Sequence, residues 1–282
     1  MSSRDAFRST LQNGGLVVGV GAGDALQARL IEECEFDFVW ISSFAVAASL
    51  ALPEDPRYSL NEFNQRVREI TRAVLLPTVV DAPITYLDRS AASGVLRVYS
   101  ECGVAGLSVE DKSGVKVNSL DFERHQVLMS GEDFCDLLRW IKATAPDLFL
   151  IARVEALVAG STCDETLRRG RLYADAGADA VIIHSRSPQP ADIIEVVKRW
   201  DRQCPMGLIP TTYSSLTEPM MMQLGAVRFV IYANQMVRAA VQVQRDVLAE
   251  IKCVQGVHTL TDRLASVEGI LALQTLREPR RE

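Results

Sequence analysis

Nowhere in this 282-residue chain does an apolar run approach the ~18 residues that a membrane-spanning helix needs, and the opening M-S-S-R-D-A-F-R-S-T lacks the apolar core that directs secretion. A cytoplasmic protein with no membrane partner is expected. Paired cysteines are missing too: Cys34, Cys102, Cys135, Cys163, Cys204 and Cys253 are widely spaced, with no C-x-x-C. That spacing argues against a zinc knuckle or a disulfide framework and reads as reduced, buried residues. Positive charge is not in excess, with 36 acids against 30 bases and a net charge of −6, and the bases are scattered rather than striped. Nucleic acid is therefore excluded as the expected partner. Since no Pro/Gly/Ser-rich tract divides the chain, residues 1–282 are expected to form a single domain.

What the sequence does have is eight short, almost continuously apolar runs: 16–20, 38–41, 77–80, 105–109, 149–152, 180–183, 206–209 and 229–232. Runs that do not alternate suit strands covered on both faces, as in a parallel sheet. Between them lie segments of helical periodicity, including one that puts Phe63, Val67, Ile70 and Val74 on a single face. Eight β-α units in one undivided chain predict a (β/α)₈ barrel of the TIM type. Beyond the eighth unit, 259–278 reads as an additional amphipathic C-terminal helix or pair, either capping the barrel or packing against another subunit.

In such a barrel the residues just past each strand converge on one face, where chemistry is done. Here they are Asp24, Ser42 and Ser43, Asp81, Glu110 with Asp111 and Lys112, Arg153 and Glu155, His184 and Ser185, Thr211 and Thr212, and Asn234. Carboxylates in this ring suit a hard, oxygen-liking cation such as Mg²⁺, and Arg, Asn and hydroxyls suit the oxygens of a phosphoryl or carboxylate group. Taken singly, Arg153 could merely pair with Glu155, and His184 could be a core histidine. The glycine-rich G-V-G-A-G-D (19–24) departs from G-x-G-x-x-G at Asp24 and is set aside as a dinucleotide motif. An anionic small molecule bound with a divalent metal is the expectation.

At these same positions W-I-S-S-F (40–44), V-E-D-K-S-G-V-K-V-N-S-L (109–120), I-A-R-V-E-A-L-V-A-G (151–160), D-A-G-A-D-A-V-I-I-H-S-R (175–186), P-T-T-Y (210–213) and V-I-Y-A-N (230–234) resemble the phosphoenolpyruvate mutase branch of the isocitrate lyase superfamily. The resemblance implies a (β/α)₈ barrel that makes or breaks a carbon–phosphorus bond in a small phosphorylated or phosphonate 2-oxo acid, using Mg²⁺ or alternatively Mn²⁺. It also implies a homodimer or homotetramer that exchanges C-terminal helices. Carried onto matching positions, Asp81 is the direct metal ligand, with Glu110 and Glu54 beside it. Trp40, Ser42, Ser43, Leu120 and Thr211 line the substrate pocket. Arg153 and His184 hold the phosphoryl group, and Lys116, Asn118 and Ser119 ride on a gate.

The gate K-V-N-S-L resembles the mutase type. Phosphonopyruvate hydrolases resemble one another in a threonine where Asn118 stands, and the lyases in a cysteine-bearing gate that is absent here. Y-S-S-L-T-E (213–218), by contrast, looks like the hydrolase subgroup. After strand three, members of this branch show D-A-D-T-G-Y-G. Here Pro83 takes the place of the second acid and Thr85 and Leu87 the places of the glycines. The expected activity is interconversion of phosphoenolpyruvate and phosphonopyruvate. Alternatives are hydrolysis of phosphonopyruvate, lyase chemistry on another 2-oxo or 2-hydroxy acid, and ligand binding without turnover.

Overall fold

The computed structural model describes residues 3–12 and 14–274. Eight parallel strands close into a barrel in chain order: β1 (Val17–Ala22), β2 (Phe38–Ile41), β3 (Thr78–Asp81), β4 (Gly106–Glu110), β5 (Phe149–Val154), β6 (Ala180–Ile183), β7 (Met206–Leu208) and β8 (Val227–Tyr232). Each predicted run overlaps one of them, and β8 returns to pair with β1. Among the described residues no helix is long and apolar enough to cross a membrane.

The apolar runs are needed because each strand buries both faces. One set of side chains, including Phe38, Trp40, Val79, Phe149, Ile151, Ile182, Phe229 and Ile231, fills the barrel interior. The alternate set, including Val39, Ile41, Val80, Leu107, Leu150, Val181 and Val230, meets the helices outside. That split follows from the two-residue period of a strand.

The outer layer comprises α2 (Ala25–Glu33), α3 (Ser43–Ser49), α4 (Pro56–Ala73), α5 (Arg89–Glu101), α6 (Gly131–Thr144), α7 (Cys163–Asp175), α8 (Ala191–Lys198), α9 (Glu218–Gln223) and α10 (Gln235–Val254). Their starts are fixed locally. Asp24, Asp88, Ser130 and Thr162 each accept a hydrogen bond from a backbone N–H of the first turn, satisfying donors that would otherwise be orphaned. Asp24 is thus a helix cap.

Ahead of the barrel, α1 (Ser3–Gln12) inserts Phe7 between Phe38 and Phe149 in edge-on contacts of 5.2 Å and plugs the N-terminal mouth. Sequence periodicity did not single out this plug.

Two expectations change. The C-terminal segment forms a 3₁₀ turn at Thr261–Arg263 and α11 (Val267–Leu273), and the last residues of the expected helical stretch, 275–278, lie outside the described residues. Among the described residues of this segment only Leu260 is buried, while Leu264, Val267, Ile270 and Leu271 stay exposed. The cysteines are all free, as expected, but only Cys135 is buried, because the others fall near helix ends and loops rather than in the core.

Close packing at the barrel lip yields a test. A Cβ at Gly21 would collide with the Ala233 carbonyl, whereas one at Gly94 in α5 meets open space. Gly21→Ala should therefore destabilise the fold by roughly 1–3 kcal/mol, and Gly94→Ala should stabilise it by about 0.5–1 kcal/mol through helix propensity. Urea unfolding followed by circular dichroism measures both, and equal stability of the two variants would contradict this packing.

Candidate active site

The period that fills the barrel also builds its upper face. On β4 the inward series runs Ser108, Glu110, Lys112; on β5 it runs Ile151, Arg153, Glu155; on β3, Val79 leads to Asp81; and on β6, Ile182 leads to His184. Apolar inward positions become charged as each strand reaches its C-terminal end. Glu110 and Arg153 are direct register partners on neighbouring strands, so their side chains stand side by side.

Arg153 is the hub. Its Nη1 donates to Asp81 Oδ1 at 2.9 Å, and its Nη2 donates to Glu110 Oε2. Its Nε lies 2.8 Å from Glu155 Oε1 but off the N–H axis, an ion pair rather than a hydrogen bond. Lys112 adds a second cation, 3.3 Å from Glu110 and 3.7 Å from Glu155. Lys116 adds a third, 3.4 Å from Glu54 and 3.6 Å from Glu110. Four carboxylates thus face three cations in a nearly dry setting.

The electrostatics follow from that packing. Burial alone would raise the Glu110 pKa, but Arg153, Lys112 and Lys116 outweigh it and hold this carboxyl well below its usual range. Glu155 is held at about 2 against the same burial penalty by Lys112 and Arg153. Lys116 is pushed above its ordinary value because Glu110, Glu54 and Asp81 overcome its desolvation, which favours the ammonium form.

The loop after β3, in which Pro83 stands where the resembled branch carries a second acid, contributes hydroxyls. It folds into a 3₁₀ turn, Ile84–Tyr86, from which Tyr86 OH donates to Glu110 Oε1 at 2.6 Å and Thr85 Oγ1 donates to the Glu110 carbonyl at 2.8 Å. Between the inward Glu110 and Lys112, Asp111 points the other way. It accepts from Arg169 Nη1 (2.9 Å), Tyr173 OH (2.6 Å) and the Glu155 amide (2.8 Å), which pins β4 to α7 and β5 behind the site.

The expected gate lies seated over the barrel. Asn118 Nδ2 donates to Glu54 Oε2 (2.8 Å) while its Oδ1 accepts from the Leu120 amide (2.9 Å). Ser119 Oγ donates to Glu155 Oε2 at 2.6 Å, and Lys112 Nζ donates to the Val117 carbonyl at 2.7 Å. From β6, Arg186 reaches across to donate to the carbonyls of Ser119 and Asp121 and stacks on Phe122. Beneath the gate is a cavity of about 540 Å³.

Of the expected site residues, Trp40, Ser42, Glu54, Asp81, Glu110, Lys116, Asn118, Ser119, Leu120, Arg153, His184 and Thr211 all line this cavity. Ser43 does not: its hydroxyl sits 2.7 Å from Glu54 Oε1 and 2.8 Å from Asp81 Oδ2, because α3 begins there and turns it toward the acids. Ser42 caps α3 by accepting from the Ala45 amide. Neither ring nitrogen of His184 makes a hydrogen bond, unlike a core histidine bonded to backbone, although its Nδ1 lies 3.6 Å from Glu155 Oε1, and Thr211 Oγ1 also makes none. Sequence reasoning assigned no role to Tyr86 or Arg186. Tyr86 lay in a loop read only for its missing acid, while Arg186 stands two residues past His184 on the same alternation.

Among the described residues, no three metal-ligating side chains converge on one point, because Arg153, Lys116 and Ser43 lie between the acids. The donor set nevertheless fits a small hard cation. Asp81 and Glu110 offer carboxylate oxygens to one cavity, and Mg²⁺ needs only one or two of these alongside water.

Residues 7–252 match the family model described as phosphoenolpyruvate phosphomutase. The chain is 35% identical to the phosphonopyruvate hydrolase of Variovorax sp. (strain Pal2), over 97% of this chain and 95% of that one. It is 32% identical to the phosphoenolpyruvate phosphomutase of Streptomyces hygroscopicus, over 90% and 82% of the two chains. The crystal structure of a phosphoenolpyruvate phosphomutase from Streptomyces platensis subsp. rosaceus superposes with a TM-score of 0.92 at 32% identity, covering 97% of this chain and 95% of that one. A phosphonopyruvate hydrolase solved with oxalate and Mg²⁺ superposes at 0.89 with 34% identity and the same coverage.

Arg186 joins the gate to β6 without any carboxylate partner, so its removal should loosen the gate alone. Arg186→Ala should speed proteolytic cleavage within residues 114–127 about tenfold while leaving the melting temperature nearly unchanged. Cleavage at the wild-type rate would show that the gate is held elsewhere.

Proposed function

The chain belongs to the phosphoenolpyruvate phosphomutase family, and from that premise we propose that it interconverts phosphoenolpyruvate and phosphonopyruvate with the help of a divalent cation, in the cytoplasm. In the direction of cleavage the C–P bond of phosphonopyruvate breaks and its electron pair stays on C3 as the pyruvate enolate. The enolate oxygen then takes the phosphoryl group, so that a C–P bond is exchanged for a P–O bond. Protein groups need only position the phosphoryl group and spread its charge.

The observation that carries this reading is the seated K-V-N-S-L gate, with Asn118 tied to Glu54 and Ser119 tied to Glu155 over a cavity in which His184 makes no hydrogen bond. Excluding water favours return of the phosphoryl group to its own three-carbon skeleton over its loss to solvent. His184 and Arg153 would meet the phosphoryl oxygens, Trp40 and Leu120 would wall in the carbon skeleton, and the first turn of α3 near Ser42 would meet the carboxylate. Asp81 and Glu110 would hold Mg²⁺ or Mn²⁺, with Glu54 beside them, and the bound ion would supply positive charge to the oxygens of the 2-oxo acid. Exposed apolar residues on α10 (Val241, Val243, Leu248 and Ile251) and on α11 support association into a homodimer or homotetramer.

Hydrolysis of phosphonopyruvate to pyruvate and phosphate is the second reading. It is favoured by the 35% identity to the Variovorax hydrolase and by the 213–218 segment. Phosphorus NMR of phosphonopyruvate incubated with protein and Mg²⁺ separates the two. Phosphoenolpyruvate should appear, and Asp81→Ala should abolish its formation. Inorganic phosphate as the sole product would establish the hydrolase instead, and an unchanged spectrum would sink both readings.

A further inference from the structure

The two halves of the cavity wall differ in how their polar groups are used. On the β2–β5 side the acids Glu54, Asp81 and Glu110 and the cations Lys116 and Arg153 are all paired with one another. On the β6–β8 side Thr211 Oγ1 and both ring nitrogens of His184 make no hydrogen bond, His184 Nδ1 lying 3.6 Å from Glu155 Oε1. Just past β8, in the first turn of α10, Arg238 stands at the mouth of the same cavity. The residue is exposed, and its guanidinium makes one hydrogen bond, to Asn234 Oδ1 at 3.5 Å, the outer limit for such a bond. Among the described lysines and arginines lining the cavity, it is the one without a carboxylate partner.

A dianionic ligand approaching this cavity meets acids already committed to their cations on one wall and an uncommitted guanidinium on the other. Coulomb attraction over several ångströms is weak in water but grows in a concave site, where field lines are focused. A guanidinium also offers parallel N–H donors that match two oxygens of a phosphonate or phosphate. Arg153 cannot make that first contact without releasing Asp81 or Glu110, whereas Arg238 releases nothing but a marginal bond.

We infer that Arg238 is a substrate-capturing residue that binds the phosphonate or phosphoryl dianion at the cavity mouth, a role that rests on the phosphonate reading above. It sets affinity and encounter rate, and the bond-breaking step proceeds deeper in the barrel. Arg238 is solvent-exposed and its one hydrogen bond is to Asn234, four residues before it, so substitutions there should leave the fold intact.

Steady-state kinetics and direct binding on the full-length protein test this. Arg238→Gln should raise KM for phosphonopyruvate about tenfold, with a much smaller change in kcat, and should flatten the fall of kcat/KM with added salt. Arg238→Lys should recover most of the salt dependence. Calorimetric titration with methylphosphonate should show the same roughly tenfold loss in Arg238→Gln, whereas acetate binding should not change. Unaltered KM and methylphosphonate affinity would overturn the assignment, as would no binding of methylphosphonate to the wild type or a loss confined to acetate. Because the methylphosphonate arm needs no turnover, a protein that leaves phosphonopyruvate untouched would refute the proposed reaction while still deciding the role of Arg238.

Discussion

One buried guanidinium serves three strands. Arg153, rising from β5, is bound to Asp81 from β3 and Glu110 from β4, and it lies against Glu155 just past its own strand. Burying a charge is tolerable only when it is paired, and these carboxylates would otherwise strand negative charge in a nearly waterless barrel mouth. Taking away one partner of such a set costs about 3–5 kcal/mol. The constraint comes first, and the arrangement of the site follows from it.

Glu110 is shared with Lys112, Lys116 and Tyr86, and Glu155 with Lys112 and Ser119, so each acid that Arg153 anchors in turn anchors part of the gate or the β3 loop. Behind them Asp111, Arg169 and Tyr173 fix the backbone that carries both Glu110 and Glu155. One wall is thereby rigid, its four acids held by three cations, and the other keeps Thr211 and Arg238 without a charged partner, with His184 at the boundary 3.6 Å from Glu155. That asymmetry gives a small dianion a preferred way in, and gives the gate a fixed platform on which to close.

The strands were legible because a strand buried on both faces must be apolar throughout, and eight such runs leave few architectures. The ring of polar residues was legible because each follows its run directly. Partners that come from outside the runs were not. Tyr86 supplies a hydroxyl where sequence comparison suggested a lost acid, so the departure at Pro83 left Glu110 with a different neighbour rather than with none. Ser43 looked like a pocket residue until the start of α3 turned it toward Glu54 and Asp81. The sequence placed Arg153 among phosphoryl-binding groups or beside Glu155 alone. Its bridging of three strands depends on register, which composition and spacing do not reveal. The plug formed by α1 was equally hidden, since its role depends on Phe7 meeting Phe38 and Phe149 across the barrel floor.

The direct test of this account is urea unfolding of the wild type and Arg153→Met across pH. In the wild type Glu110 is held well below its ordinary value near 4.5 and Glu155 is held at about 2. Because these pKa values are depressed on folding, the stability they contribute is full above pH 4.5 and is lost as pH falls toward 2. Without Arg153 the stranded carboxyls take up protons instead. The variant should be less stable by about 3–5 kcal/mol at pH 7, and the gap should close as pH falls below 4.5. A gap that stays constant from pH 7 down to pH 3 would mean that Arg153 contributes packing alone and that the ion lattice is not what organises the site.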